Sequence, residues 1–153
     1  MPTKSYNNII LMLYRPVDEY LKGTGIAAVK FYLKKHLMAH GFIIIDSKVI
    51  FHVPPFHSVW SIIVYDIFYP IFLAFKARKK KPFRVLYVDV APALFIHLIR
   101  MLHPQAQITT LVHAYPEEAS FYLSYIRYLT KLAINASDNI ICTTEENRRR
   151  LLE

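Results

Sequence analysis

His113 follows an apolar, β-branched run, Ile108 to Val112, and is followed at once by Ala114, Tyr115, Pro116, Glu117 and Glu118. An imidazole near two carboxylates can donate or accept hydrogen bonds and move protons near neutral pH. The run is apolar on both of its faces, so a strand here is covered on both sides, as in parallel sheets flanked by helices. Its carboxyl end is then where open α/β sheets collect ligands. The plainer alternative for His113 is a strand-end histidine satisfied by a backbone partner, and adjacent glutamates on a loop often just face solvent. A second candidate is Gly23-Thr24-Gly25, which contains two of the three glycines in the chain. It serves a bound group, or it only shapes a turn and starts a helix.

Other chemistry-bearing residues carry less. His36 and His40 stand four apart on one predicted helix, the spacing of a metal pair, with no third ligand nearby, so a solvated helix end is expected. Asn135-Ala136-Ser137 matches a glycosylation acceptor, but Lys4 is followed by polar Ser5 to Asn8 and a brief apolar run before Arg15, with no evident secretory signal. Cys142 lies within an apolar strand and reads as core. As the single cysteine it rules out an internal disulfide framework and suits a reducing compartment.

The elements that must position these groups alternate along the chain. Ile9 to Tyr14 reads as a buried first strand, and Ile26 to His40 as a helix with Ile26, Val29, Leu33 and Leu37 on one face and Gly41 as its stop. Phe42 to Ile45 and Lys48 to Val53 are strand candidates closed by Pro54-Pro55. Val85 to Asp89 is a strand ending in a polar residue. Ala91 to Leu102 is a helix with Pro92 in its first turn, where a missing amide proton costs least. Ser120 to Asn135 is a helix, and Asn139 to Cys142 a short strand. Thr143-Thr144-Glu145-Glu146 then opens a helix with capping hydroxyls and early acids, with Arg148 to Arg150 in the next turn. This alternation predicts a doubly wound, mostly parallel α/β sheet flanked by helices, in one domain over residues 1–153. The chain stops at Leu151-Leu152-Glu153 within that helix, an end that implies more chain downstream.

With 54% hydrophobic residues, the chain has enough apolar material for a real core. The net charge of +8 favours an anionic partner: phospholipid, nucleic acid or a phosphorylated ligand. No recognisable nucleic-acid-binding module appears, and the basic residues are scattered over helix ends and one loop, so nucleic acid is not favoured. Val59 to Phe75 is the most apolar stretch, at the short end of what crosses a bilayer, with Asp66 and Pro70 inside it. It predicts a helix packed on the sheet, partly presented to lipid and kinked or broken at Pro70. The cluster Lys76, Arg78, Lys79, Lys80, Lys81 and Arg84 follows directly, and a basic flank on an apolar, aromatic helix can hold a protein on an anionic membrane surface. A solvated loop before a strand is the bland alternative.

The order of features resembles the amino-terminal, acceptor-side domain of glycosyltransferase family 4, enzymes of the GT-B fold built from two Rossmann-like halves. The matching pieces are the first strand with its Gly23-Thr24-Gly25 loop, then LKKHLMAHGFII, VLYVDVAPAL, TLVHAYPEE and SDNIICTTEENRRRLLE, in that order. The resemblance implies retaining transfer of a sugar from a nucleotide-sugar, a substrate and not a cofactor, to a glycan or other acceptor bound mainly by this half. The apolar segment and its basic flank add the expectation of a lipid-linked acceptor and a peripheral place on the cytoplasmic membrane face. By the resemblance, Gly23, Thr24 and Gly25 approach the donor phosphates, which requires little side-chain bulk. His113 lies beside the transferred sugar, hydrogen bonding and orienting it. Asp89, Tyr115, Glu117, Thr144 and Glu145 line the cleft or acceptor side. The chain departs from the family in having Thr143-Thr144 where a serine is usual, and Asp89 where a histidine is common. A second, donor-binding domain or a second chain is expected to supply the opposite wall, and this half is expected to be inactive or nearly so alone. Without any chemistry, the same features fit a basic membrane-surface or scaffolding domain.

Overall fold

The computed structural model describes residues 8–14, 25–46, 60, 62–88, 91–112 and 121–152. Five strands form one sheet: β1 (Ile9–Leu13), β2 (Ile43–Asp46), β3 (Arg84–Tyr87), β4 (Gln107–Val112) and β5 (Asn139–Cys142). Their order is β2-β1-β3-β4-β5, and every neighbouring pair is parallel. The architecture is therefore Rossmann-like α/β. The helices are α1 (Gly25–Ala39), α2 (Tyr69–Ala77), α3 (Ile96–Leu102), α4 (Phe121–Ala136) and α5 (Glu145–Leu152).

Strand periodicity sorts the side chains into two cores. Leu11 and Leu13 of β1, with Val85 and Tyr87 of β3, meet Tyr69, Leu73, Ala74 and Ala77 of α2, Ile96 and Ile99 of α3, and Ala133 and Ala136 of α4. The intervening Ile10, Met12 and Leu86 point the other way and pack with Leu33 and Leu37 of α1. Completely buried β1 is thus covered on both faces, which is why its sequence is continuously apolar. The edge strands differ. In β5, Ile140 and Ile141 are exposed and Cys142 is a half-buried free thiol, not a core residue, because an edge strand has a neighbour on one side only.

Two helix ends are fixed by local chemistry. After α1 the Phe42 amide donates to the Leu37 carbonyl and the Gly41 amide to Met38, both at 3.1 Å, with Gly41 at φ 81°. This is a Schellman stop, and Phe42 and Leu37 share the α1-side core as its apolar closure. Before α5, the Thr144 hydroxyl accepts from the Asn147 amide at 3.1 Å, the side-chain cap expected from the Thr-Thr-Glu-Glu run.

The apolar stretch expected to be kinked or broken at Pro70 changes its helix type beside that residue. Ile62–Phe68 is a π-helical turn, and α2 begins at Tyr69 with Pro70 in its first turn. The change of helix type thus falls where Pro70 removes an amide donor from the ladder. Pro92 has a similar effect: Ala91–Phe95 is a 3₁₀ turn, and α-helix begins only at Ile96. The Lys48–Val53 strand candidate lies outside the described residues.

Candidate functional site

Because all five strands are parallel, the segments that follow them leave from one edge of the sheet. The chain turns one way from β1 to reach β2 and the other way to reach β3, so the direction of winding reverses between β1 and β3. In open parallel sheets ligands are held outside the carboxyl ends of the strands at such a reversal.

The strand ends at this edge are pinned by backbone. The Val88 amide donates to the Leu13 carbonyl at 3.0 Å, and the Thr143 amide to the Val112 carbonyl at 3.2 Å. Register places Leu13 beside Tyr87, Tyr87 beside Thr110, and Val112 beside Cys142. Tyr87 is fully buried, its hydroxyl has no partner among the described residues, and burial pushes its pKa well up, so the phenol stays protonated.

At the β5 end, Thr144 and Glu145 are both exposed. The Thr144 hydroxyl accepts the capping bond described above, and Glu145 pairs loosely with Arg148 at 3.4 Å on the first turn of α5. An exposed pair of this kind adds little stability. Glu145, Glu146, Arg148 and Arg149 line a shallow surface depression. It is open to solvent and carries both charge signs, so it offers no enclosed binding volume.

Four residues at the β1–β2 end were not singled out by sequence and meet in space. Tyr14 donates its phenolic proton to Asp46 Oδ2 at 3.0 Å, Lys34 of α1 forms an ion pair with the same oxygen, and Lys30 stands 4.2 Å above the Tyr14 ring. The cluster ties α1 to the carboxyl ends of the first two strands. The i, i+4 spacing of Lys30 and Lys34, and an aspartate closing an apolar strand, were the available signals.

Of the other predicted site residues, Gly25 is the first residue of α1, so the glycine triplet ends where that helix begins. Gly23, Thr24, Asp89, His113, Tyr115, Glu117 and Glu118 lie outside the described residues. In sequence they follow β1, β3 and β4 respectively. Lys76, Arg78, Lys79, Lys80 and Lys81 are all exposed. Arg84 stands apart from them: it belongs to β3, is half-buried, and donates to Gln107 Oε1 at 3.1 Å. The His36 and His40 rings are 4.2 Å apart, and His40 Nδ1 is 2.9 Å from the His36 carbonyl oxygen, to which it donates. No cluster of three histidine, cysteine or carboxylate side chains suited to a metal occurs among the described residues.

Compared with protein-family models, with curated proteins and with solved structures, the chain matches none.

Proposed function

We propose that this domain is the acceptor-side half of a retaining glycosyltransferase, working at the cytoplasmic face of a membrane on a nucleotide-sugar and a glycan or lipid-linked acceptor. The observation that carries the reading is the all-parallel β2-β1-β3-β4-β5 sheet with its winding reversal between β1 and β3. In sequence Gly23-Thr24-Gly25, Asp89 and His113 follow β1, β3 and β4, and the α5 start with Thr144 and Glu145 follows β5, an order that supports one shared site beyond the strand ends. The resemblance of those five stretches to the family's motifs supports it as well.

In this reading the amides of the glycine turn face the donor phosphates, and α1, starting at Gly25, adds the partial positive charge of its amino end. His113 hydrogen-bonds the sugar and holds it while the acceptor hydroxyl bonds to the anomeric carbon, the bond from that carbon to the nucleoside diphosphate breaks on the same face, and the leaving diphosphate takes up the hydroxyl proton. The opposite wall, from a second domain or chain, completes phosphate neutralisation and closes out water.

Amide chemical-shift mapping tests this. Titration of ¹⁵N-labelled protein with a panel of UDP-, GDP- and ADP-hexoses is expected to move Tyr14, Val88, Val112, Thr143 and Thr144, and His113→Ala and Gly23→Val to abolish the response. No shift with any donor at millimolar concentration, or shifts confined to the amino ends of the strands, overturns the reading.

A further inference from the structure

The segment from Trp60 to Lys81 has a surface that the sugar-transfer reading does not use. In α2 and the residue before it, Phe68, Phe72 and Phe75 are 65%, 54% and 51% exposed, while Tyr69, Leu73, Ala74 and Ala77 are buried against the sheet. Positions 68, 72 and 75 share one helical face, so the three rings form a stripe pointing away from the core. Trp60, 68% exposed, precedes them in the same segment. Large apolar rings in a row on an outer face are uncommon unless something covers them.

The residues just after the stripe identify the cover. Lys76, Arg78, Lys79, Lys80 and Lys81 are exposed, and none forms an ion pair among the described residues. Residues 67–81 contain no acidic residue, and Asp66 just before them is buried. The partner must accept aromatic rings along a helix and carry negative charge at the helix's end. A nucleic acid asks for cations interleaved with the rings along a groove. Here the rings lie along α2 and the cations gather after it. No helix among the described residues is long and apolar enough to cross a membrane, and α2 has only 9 residues. Such an element lies in the bilayer surface and does not span it.

We propose that the Phe68–Phe72–Phe75 stripe of α2 and the cations at 76 and 78–81 form a docking surface for an anionic lipid bilayer. The rings enter the boundary between headgroups and acyl chains, and the cations meet the lipid phosphates. In a parallel sheet a crossover helix returns antiparallel to the strands, so α2 runs from the carboxyl edge toward the amino edge. The cations, just before the start of β3, therefore sit at the amino edge of the sheet, away from the carboxyl ends of the strands. This inference deepens the membrane location in the proposed function, and the vesicle assay, run without nucleotide-sugar, can fail while sugar transfer stands.

Trp60 is the single tryptophan in the chain and so reports on its own segment. The experiment is co-sedimentation and tryptophan fluorescence with vesicles of phosphatidylcholine alone, or mixed with 40% phosphatidylglycerol. Binding to the mixed vesicles is expected, with a blue shift of Trp60 and quenching by brominated acyl chains. Phe68→Ser with Phe72→Ser and Phe75→Ser should raise the lipid concentration for half-binding by at least tenfold. Each of Lys79→Gln, Lys80→Gln and Lys81→Gln should raise it by about fivefold at low salt. Tyr32→Ser on α1, across the sheet, should leave it unchanged, and amide spectra of every variant check the fold. No binding to phosphatidylglycerol vesicles at millimolar lipid overturns the proposal. So do equal binding to neutral vesicles, binding without a Trp60 response, or tighter binding to single-stranded RNA than to vesicles.

Discussion

Replacing Asp138 tests how the two strands nearest the β5 edge are held in register. Asp138 sits between α4 and β5. Its Oδ2 accepts from the Ile108 amide at 2.8 Å, its own amide donates to the Ile108 carbonyl at 2.8 Å, and its Oδ1 accepts from Arg100 at 3.0 Å. Arg100 also donates to the Ala136 carbonyl at 2.6 Å, closing the end of α4. Ile108 is fully buried, so Asp138→Ala takes from its amide the one charged acceptor that reaches it among the described residues. A hydrogen bond to a charged group contributes about 1.5–3 kcal/mol. The carboxylate side chain is 40% exposed, and the Arg100 pair, exposed on both sides, adds only ~0.5 kcal/mol, so the low end applies. The expected loss is about 2 kcal/mol, a fall in Tm of roughly 4–8 °C for a domain of this size. Asp138→Asn keeps an acceptor oxygen for Ile108 and should lose about half as much. The assay is urea unfolding followed by circular dichroism, with both variants at one pH. A loss below ~0.5 kcal/mol for Asp138→Ala, or equal losses for the two, would refute the view that the Ile108 amide dominates. The same bonds hold the Asp138 pKa below its usual value, the Ile108 amide contributing most and Arg100 next. The stabilisation is therefore present above the unfolded pKa of about 3.9 and lost as pH falls through the lower folded value.

His103 gives a second pH dependence, with its window nearer neutrality. It is buried after α3, its Nε2 donates to the Ala74 carbonyl of α2 at 2.9 Å, and burial, opposed by that bond and aided by nearby Arg78, lowers its pKa. The unfolded chain then binds the proton first, so stability should be full above pH ~6.5 and decline below it, and His103→Gln should flatten this slope in unfolding curves measured from pH 5 to 8. Tyr87→Phe removes a buried hydroxyl that has no partner among the described residues, so it should leave stability unchanged or raise it by up to about 1 kcal/mol. Thermal unfolding checks this, and a loss above ~1 kcal/mol would mean that the hydroxyl is bonded by a residue outside the described ones.

Much of the frame was legible in the chain because the signals were local. Ile9–Leu13 had to be a two-sided buried strand, since no face of it is polar, and Gly41 had to stop α1, since a left-handed turn after a helix favours glycine. Thr144 capped the helix it was expected to cap because the bond spans only three residues. Sequence alone also set the charge, the single thiol and the crowding of lysines after the apolar stretch. Tertiary structure decided what depends on distant partners. Cys142 read as core from its place in an apolar strand, and the edge position of β5 leaves it half-buried beside exposed Ile140 and Ile141. Arg84 read as one more cation of a cluster, and the sheet took it into β3 beside Gln107. Tyr14, Lys30, Lys34 and Asp46 meet only because β1, β2 and α1 fold together. Which rings of α2 face outward was likewise undetermined until the sheet claimed Tyr69, Leu73 and Ala77, because hydrophobicity names what can be buried and packing decides which part of it is.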